Sequence, residues 1–402
     1  MIFRWKKPNY YINMRSLESQ NQYPDCLWMQ MESIPVDSSE TDQTILDIYL
    51  SLNFNEQWEP LLGGRVKYGL QSGTLKLNLE NCEISLTSSQ LKGSFHLSDP
   101  SLEDKLKFLN LSEKNTSISL TACEVYPQIS EGNFSWLFEV KTGESVLRGF
   151  LKNTQLGTLK VWDNSWRISS TFELAAPDIH LTDAEGLWRH DIIPNQHAIL
   201  ERLIVSYLLE TKLKPSLSYS QLSRDNFSFS PPHHPISSQS ESSLKEHIEK
   251  ILQAKTHDFL ELATLANLDY RVDFAGGVLR GTELRGIDFT GANLSRANLR
   301  GADLCDADLS EANLCHAKLG GADLSGAFLG DADLSYADFH RASLALTNLS
   351  GANLNGANLH EVNLVNANLH GALVEGAKFG KNSGIPEEVK HHLIEKGAIF
   401  EE

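Results

Sequence analysis

The densest group of side chains able to do chemistry lies in the segment Thr182-Asp183-Ala184-Glu185-Gly186-Leu187-Trp188-Arg189-His190-Asp191, with His180 and His197 on either side. Carboxylates next to imidazoles are the raw material of general acid–base catalysis. No spacing here matches a known mechanism, and the segment reads as a charged loop leading into a helix. The chain has no Gly-x-Ser-x-Gly, no Walker A loop, no His-Glu-x-x-His, and no GxGxxG between a strand and a helix. We therefore expect no enzyme and no catalytic residue. His233 and His234 are adjacent, but two histidines are too few for a metal centre. The five cysteines (Cys26, Cys82, Cys123, Cys305, Cys315) form no CxxC pair. That argues against a zinc site and a disulfide framework. No cofactor and no metal are expected.

The bulk numbers narrow the class. The net charge is −17 over 402 residues, and the acidity is spread along the chain. Nucleic acid and anionic membranes call for a basic surface, so neither is an expected partner. The start, MIFRWKKPNYYINM, has no apolar run after its basic residues. Nowhere do about 18 apolar residues follow one another. The expected location is the cytoplasm.

These residues must be positioned by elements, and the sequence divides into five regions. Residues 1–212 are expected to form a mostly antiparallel β domain ending in a helix. Short alternating runs recur there, such as Thr74–Leu79 and Leu137–Val140, separated by polar turns such as Ser130-Glu131-Gly132. All seven tryptophans lie before residue 190 and read mainly as core. From His197 to about Lys212, Ile199, Leu200, Leu203, Ile204, Tyr207 and Leu208 fall at helical spacing and are expected to pack on the sheet. Residues 213–243 are rich in Ser and Pro and read as a flexible linker. Residues 244–271 hold two short helical stripes, and 382–402 a third.

Between these caps the period changes to five. From Phe274 to Phe379 every fifth residue is Leu, Phe or Val, giving 22 units without a break. Two positions earlier stands Ala in 16 units, and two positions later Gly in 11. The residue between Ala and the centre is mostly Asp or Asn. Residues two apart on an extended chain share a face. Ala and Leu thus point one way and Asp/Asn the other, and Gly eases the corner. The sides must close around a narrow, fully packed interior of Leu and Ala, without room for a ligand.

Residues 272–381 resemble the pentapeptide-repeat family, whose motif reads A(D/N)LXX. The resemblance implies a right-handed quadrilateral β-helix with four pentapeptides per coil, a tower roughly 26 Å tall at ~4.8 Å per coil. The fold class is then mainly β, with this solenoid joined to the N-terminal β domain. Residues 257–268 are expected to cap one end, and the tail, with Gly384-Ile385-Pro386-Glu387-Glu388 opening a helix, the other. Twenty residues per coil would stack Glu283, Asp303 and Asp323 in one column, with Asp306 at its edge. The next face would carry Asp288, Asp308, Glu311 and Asp331. A basic flank would hold Arg280, Arg300, His340 and His360. Stacked carboxylates repel by under ~1 kcal/mol in water, so an ordinary solvated surface explains them too. Phe328 replaces an outward Asp/Asn and can anchor an interface or tuck under another part of the chain. The candidate interaction surface is Glu283, Asp303, Asp306, Asp323, Phe328 and Asp331.

The expected function is a non-catalytic protein–protein interaction or scaffold role. The expected partner is a protein with a basic surface, or a second copy through self-association. Two alternatives are weighed with it. Some members of the family mimic DNA and inhibit gyrase, which implies a strongly acidic solenoid. Alternatively, the N-terminal domain is a ligand binder or enzyme targeted by the solenoid.

Overall fold

The computed structural model describes residues 20–21, 23, 26–36, 44–97, 122–130, 132–141, 145–162, 165–188, 192–214, 216–223 and 241–401. In chain order, the strands before the solenoid are β1 (Gln20–Asn21), β2 (Leu27–Pro35), β3 (Thr44–Phe54), β4 (Gln57–Leu61), β5 (Gly64–Leu70), β6 (Ser72–Glu80), β7 (Cys82–Ser85), β8 (Gly93–His96), β9 (Ala122–Ser130), β10 (Asn133–Val140), β11 (Gly149–Val161), β12 (Arg167–Glu173), β13 (Ile179–Glu185) and β14 (Ser218–Ser223). The helices are α1 (Pro194–Leu208), α2 (Glu241–Gln253), α3 (Phe259–Leu265) and α4 (Glu387–Glu395). No helix among the described residues is long and apolar enough to cross a membrane.

The chain folds as two interleaved units. The first comprises Met1–Glu56, Ser72–Glu173 and Pro215–His233; the second comprises Gln57–Gln71, Leu174–Lys214 and His234–Glu402. The expected single domain over 1–212 is therefore corrected: two of its segments belong with the solenoid.

The first unit is antiparallel β. A seven-stranded sheet runs β1-β14-β12-β6-β10-β9-β8 and a four-stranded sheet β2-β3-β11-β7. Leu27, Met29 and Met31 of β2 alternate inward, as a half-buried strand requires. Phe54 of β3, Phe138 of β10 and Phe172 of β12 meet with ring centroids 5.8–5.9 Å apart and tie the two sheets together. Strand β14 lies inside the stretch expected to be a linker. Its Ser-rich sequence hides a strand because small polar side chains can be buried when they find partners. Ser218 and Ser220 are each 2% exposed, and Ser220 Oγ accepts from the Met31 backbone N–H at 3.1 Å. The rest of the expected linker, 224–240 with His233 and His234, lies outside the described residues.

The second unit begins with the hairpin β4–β5. Leu62 and Gly63, both at positive φ (52° and 82°), form its two-residue turn. Strand β13 joins it in the order β13-β5-β4. Helix α1 follows, and it belongs to this unit rather than to the large sheets on which it was expected to pack. It is buried on almost every side, including Asn195, Gln196, Glu201 and Arg202.

The solenoid is as the period requires. Parallel bridges join residue i to i+20, for example Glu283 to Asp303 and Asp303 to Asp323. Each coil therefore takes four pentapeptides. The central Leu and preceding Ala are buried through most of the tower. Thr282 and Thr347 replace Ala inside, and their hydroxyls donate to the carbonyls of Leu279 (2.8 Å) and Leu324 (3.0 Å). All 22 corner positions have positive φ, including the 11 that are not Gly.

Short elements lie at both ends of the tower. Phe259 of α3 meets Phe274 at a tilt and Phe289 edge-on, with ring centroids 5.0 and 6.0 Å apart, and covers the first coil. At the other end, α4 leads to a short strand, Ile399–Phe400, that pairs in parallel with Lys378–Gly380. Phe400 stacks on Phe379 at 4.9 Å.

Candidate functional sites on the second unit

The outward Asp and Asn residues turn out to be structural first. In unit after unit, Oδ1 accepts the backbone N–H two residues on: Asp303 from Cys305 (3.0 Å), Asp308 from Ser310 (3.0 Å), Asp323 from Ser325 (3.0 Å). This is the Asx turn that leads the chain into its corner. Where Asn stacks above, its amide bonds down the column, as Asn368 Nδ2 does to Asn348 Oδ1 at 3.1 Å. The acid columns thus need no partner to explain their residue type.

Their charge is also partly answered within the chain. Arg285 Nε lies 3.4 Å from Asp303 and its Nη1 3.2 Å from Asp306. The carboxylate of Asp323 sits below the usual range, held there chiefly by the Ser325 hydroxyl. Glu283 is anchored through its backbone to α1. On the basic flank, Arg300 reaches Asp338 at 3.4 Å. Of the expected surface residues, Glu283, Asp303 and Asp323 form one column, with Asp306 at the adjoining corner. Phe328 stands on the next face between Asp308 and Asn348, and Asp331 at that face's corner.

Phe328 behaves differently. It is 51% exposed, so it is not tucked away. Leu346, 64% exposed, sits at a corner one coil above Gly326, the residue two before Phe328. With no side-chain oxygen, Phe328 leaves its unit without the Asx bond its neighbours make.

A second candidate site lies at the first coil. A cleft of about 610 Å³ is lined by His180, Thr182 and Asp183 of β13, by Trp188, by His197 and Glu201 of α1, and by Val278, Arg280 and Asn298 of the solenoid. Part of the charged segment singled out in the sequence is therefore gathered here, but Arg189, His190 and Asp191 lie outside the described residues. Glu185 turns away to pair with Arg65 at 2.7 Å. The Trp188 ring meets His197 edge-on at 5.9 Å. Burial depresses the His197 pKa, which favours the neutral imidazole.

Helix α1 explains why the cleft exists. The first coil has no coil beneath it, so its lower backbone groups need other partners. Asn195 supplies two: its Oδ1 accepts from Glu283 N–H at 2.9 Å and its Nδ2 donates to Glu283 C=O at 3.1 Å. Arg202 donates to the carbonyls of Asp273 and, at 3.3 Å, Ala176. Glu201 points toward the backbone N–H groups of Val278 and Leu181, but neither carboxylate oxygen makes a well-formed hydrogen bond among the described residues. Burial dominates its titration and pushes the pKa up to about 7, with Arg202 and the two amides acting in the opposite direction. Sequence reading missed Glu201 and Arg202. The signal was available: two adjacent charges inside Ile199-Leu200-Glu201-Arg202-Leu203-Ile204, where helical periodicity leaves no wholly polar face.

These are the features of a repeat tower with a helix at its first edge, and comparison with known proteins matches the repeats. The family model "Pentapeptide repeats (8 copies)" matches residues 270–306, 307–345 and 342–380. A pentapeptide repeat protein from the Arabidopsis thaliana thylakoid lumen is 30% identical, over 30% of this chain and 80% of that one, with TM-score 0.19. Residues 270–380 belong to the pentapeptide-repeat family. Rfr23, a pentapeptide-repeat protein from the cyanobacterium Cyanothece 51142, is 41% identical over 22% of this chain and 62% of that one, TM-score 0.22. QnrB1, a plasmid-mediated fluoroquinolone resistance protein, is 26% identical over 28% of this chain and 70% of that one, TM-score 0.19. The search of curated proteins finds no match. No family model matches the β sandwich of this pentapeptide-repeat protein.

Proposed function

We propose that this is a non-catalytic interaction protein whose solenoid, wound right-handed as in its family, presents Phe328 to a protein partner. The observation that carries this reading is the substitution at position 328. An Asp or Asn there would close an Asx turn and extend the column between Asp308 and Asn348. The chain instead exposes a phenyl ring, next to exposed Leu346 and rimmed by Asp306, Asp308 and Asp331. An apolar anchor inside a polar rim is the anatomy of a binding hot spot. The rim calls for a partner with basic residues around an apolar contact.

The test is a photo-crosslinker placed at Leu346 in the full chain, followed by affinity measurement with the purified crosslinked partner. Phe328→Asn is expected to weaken that affinity by at least about tenfold without lowering Tm. Unchanged affinity in both Phe328→Asn and Leu346→Gly overturns the reading.

The resemblance to the family brings a second reading, a DNA-mimicking inhibitor. The Arg285 pairs and the flank of Arg280 and Arg300 weigh against it, because a DNA mimic needs unbroken negative potential. Inhibition of a supercoiling assay at micromolar protein would favour it over the first.

A further inference from the structure

We propose that the cleft between β13, α1 and the first solenoid coil binds a compact organic cation, an ammonium or guanidinium group, seated against Glu201 and Trp188. The inference is independent of the Phe328 surface, which lies on another face of the tower.

Three observations converge on it. The cleft, about 610 Å³, has the size of a small-molecule site. Its floor holds a carboxylate, Glu201, that is 2% exposed and faces the amides of Val278 and Leu181 without a well-formed hydrogen bond to either. A buried carboxylate left in that state is costly, and a charged N–H donor is the group that relieves it best. Its wall holds an indole, Trp188, set in place by its edge contact with His197. An indole and a carboxylate lining the same cleft are groups that attract a cation.

The remaining lining residues agree with that sign. Asp183 adds a second carboxylate and Arg280 a single cation, while Thr182 and Asn298 supply neutral polar groups. With His197 held neutral, the lining carries two carboxylates, Asp183 and Glu201, and one guanidinium, Arg280, besides the imidazole of His180; Arg202, next to Glu201, is turned to the carbonyls of Asp273 and Ala176. An anionic ligand would meet both carboxylates and be disfavoured. The same chemistry has two sources: a free amine or guanidine, or the Lys or Arg side chain of a partner protein.

The experiment uses the full chain, titrated by calorimetry and tryptophan fluorescence at pH 8. The probes are methylguanidinium chloride, butylammonium chloride and the blocked peptide Gly-Arg-Gly, with sodium acetate as the anionic control. Saturable binding of at least one cationic probe below about 10 mM is expected, weakened at least about tenfold in Glu201→Gln. Should Glu201→Gln fail to fold, Trp188→Leu and Asp183→Asn carry the same expectation. Tighter binding of the free cations assigns a small-molecule ligand, and tighter binding of the peptide assigns a partner side chain. No saturation by any cation, affinity unchanged in every folded variant, or preference for acetate overturns the proposal.

Discussion

Glu201 couples the pentapeptide-repeat tower to pH through a single side chain. Its pKa lies about 7 when folded, above the ordinary carboxylate value of 4.5. The folded state therefore holds a proton that the unfolded chain releases at lower pH. Stability from this group is full below about 4.5 and falls as pH rises toward 7, where the buried carboxyl must ionise. Glu201→Gln is expected to abolish that slope and raise Tm by about 3–6 °C at pH 8, with little change at pH 4. Calorimetric scans from pH 4 to 8 check it. Phe328 is the opposite case, a residue that gives up stability on an exposed face. Phe328→Asn restores an acceptor for the Gly330 N–H and a donor toward Asp308, like Asn353 above Asp333 at 3.0 Å. We expect a gain of about 1 kcal/mol, read from the denaturant midpoint.

The corner and the edge are the units that matter among the elements. Every repeat needs a left-handed residue, which explains why Gly is the commonest choice there without being compulsory. Leu346, at φ 61° and 64% exposed, is a corner where Gly is expected to stabilise by about 1 kcal/mol. Gly281, at φ 65° with open space around it, is one where Ala is expected to cost about the same. Paired denaturation curves of Leu346→Gly and Gly281→Ala should shift in opposite directions. At the edge, Asn195 works as a substitute strand. Asn195→Ala leaves the Glu283 N–H and C=O without their partner in a half-buried joint and is expected to cost about 1–2 kcal/mol. Hydrogen exchange at the Glu283 amide should accelerate in that variant, while the amides of coils three to five keep their protection.

For the whole molecule, connectivity sets what can be separated. The first unit takes its strand β14 from residues 218–223, after the chain has already built α1 of the second unit. β14 lies between β1 and β12 and fills both ladders, from Asn21–Ser218 to Arg167–Ser223. A chain ended at residue 212 loses that strand and leaves β12 as an open edge. Such a chain is expected to lose cooperative thermal unfolding, whereas one ended at 223 keeps the complete seven-stranded sheet. Circular dichroism melts of the two chains check it.

The solenoid was legible from the chain alone because its information is local: a period of five, a small residue beside a large one, and a corner residue recurring 22 times. Inside and outside and the stacking of Glu283, Asp303 and Asp323 follow from that pattern once a coil of twenty residues is granted. Three matters were decided only by the tertiary structure. The Asp and Asn columns owe their identity to Asx turns, a backbone bond that composition does not reveal. Strand β14 hid in a Ser-rich stretch because the partners that make its hydroxyls tolerable, such as Met31, lie far away in sequence. Helix α1 reads as an ordinary amphipathic stripe until Asn195, Glu201 and Arg202 meet Glu283, Val278 and Asp273. Those meetings span more than seventy residues. Periodicity constrains neighbours along the chain, whereas an unpaired edge group is satisfied by whatever the fold brings to it.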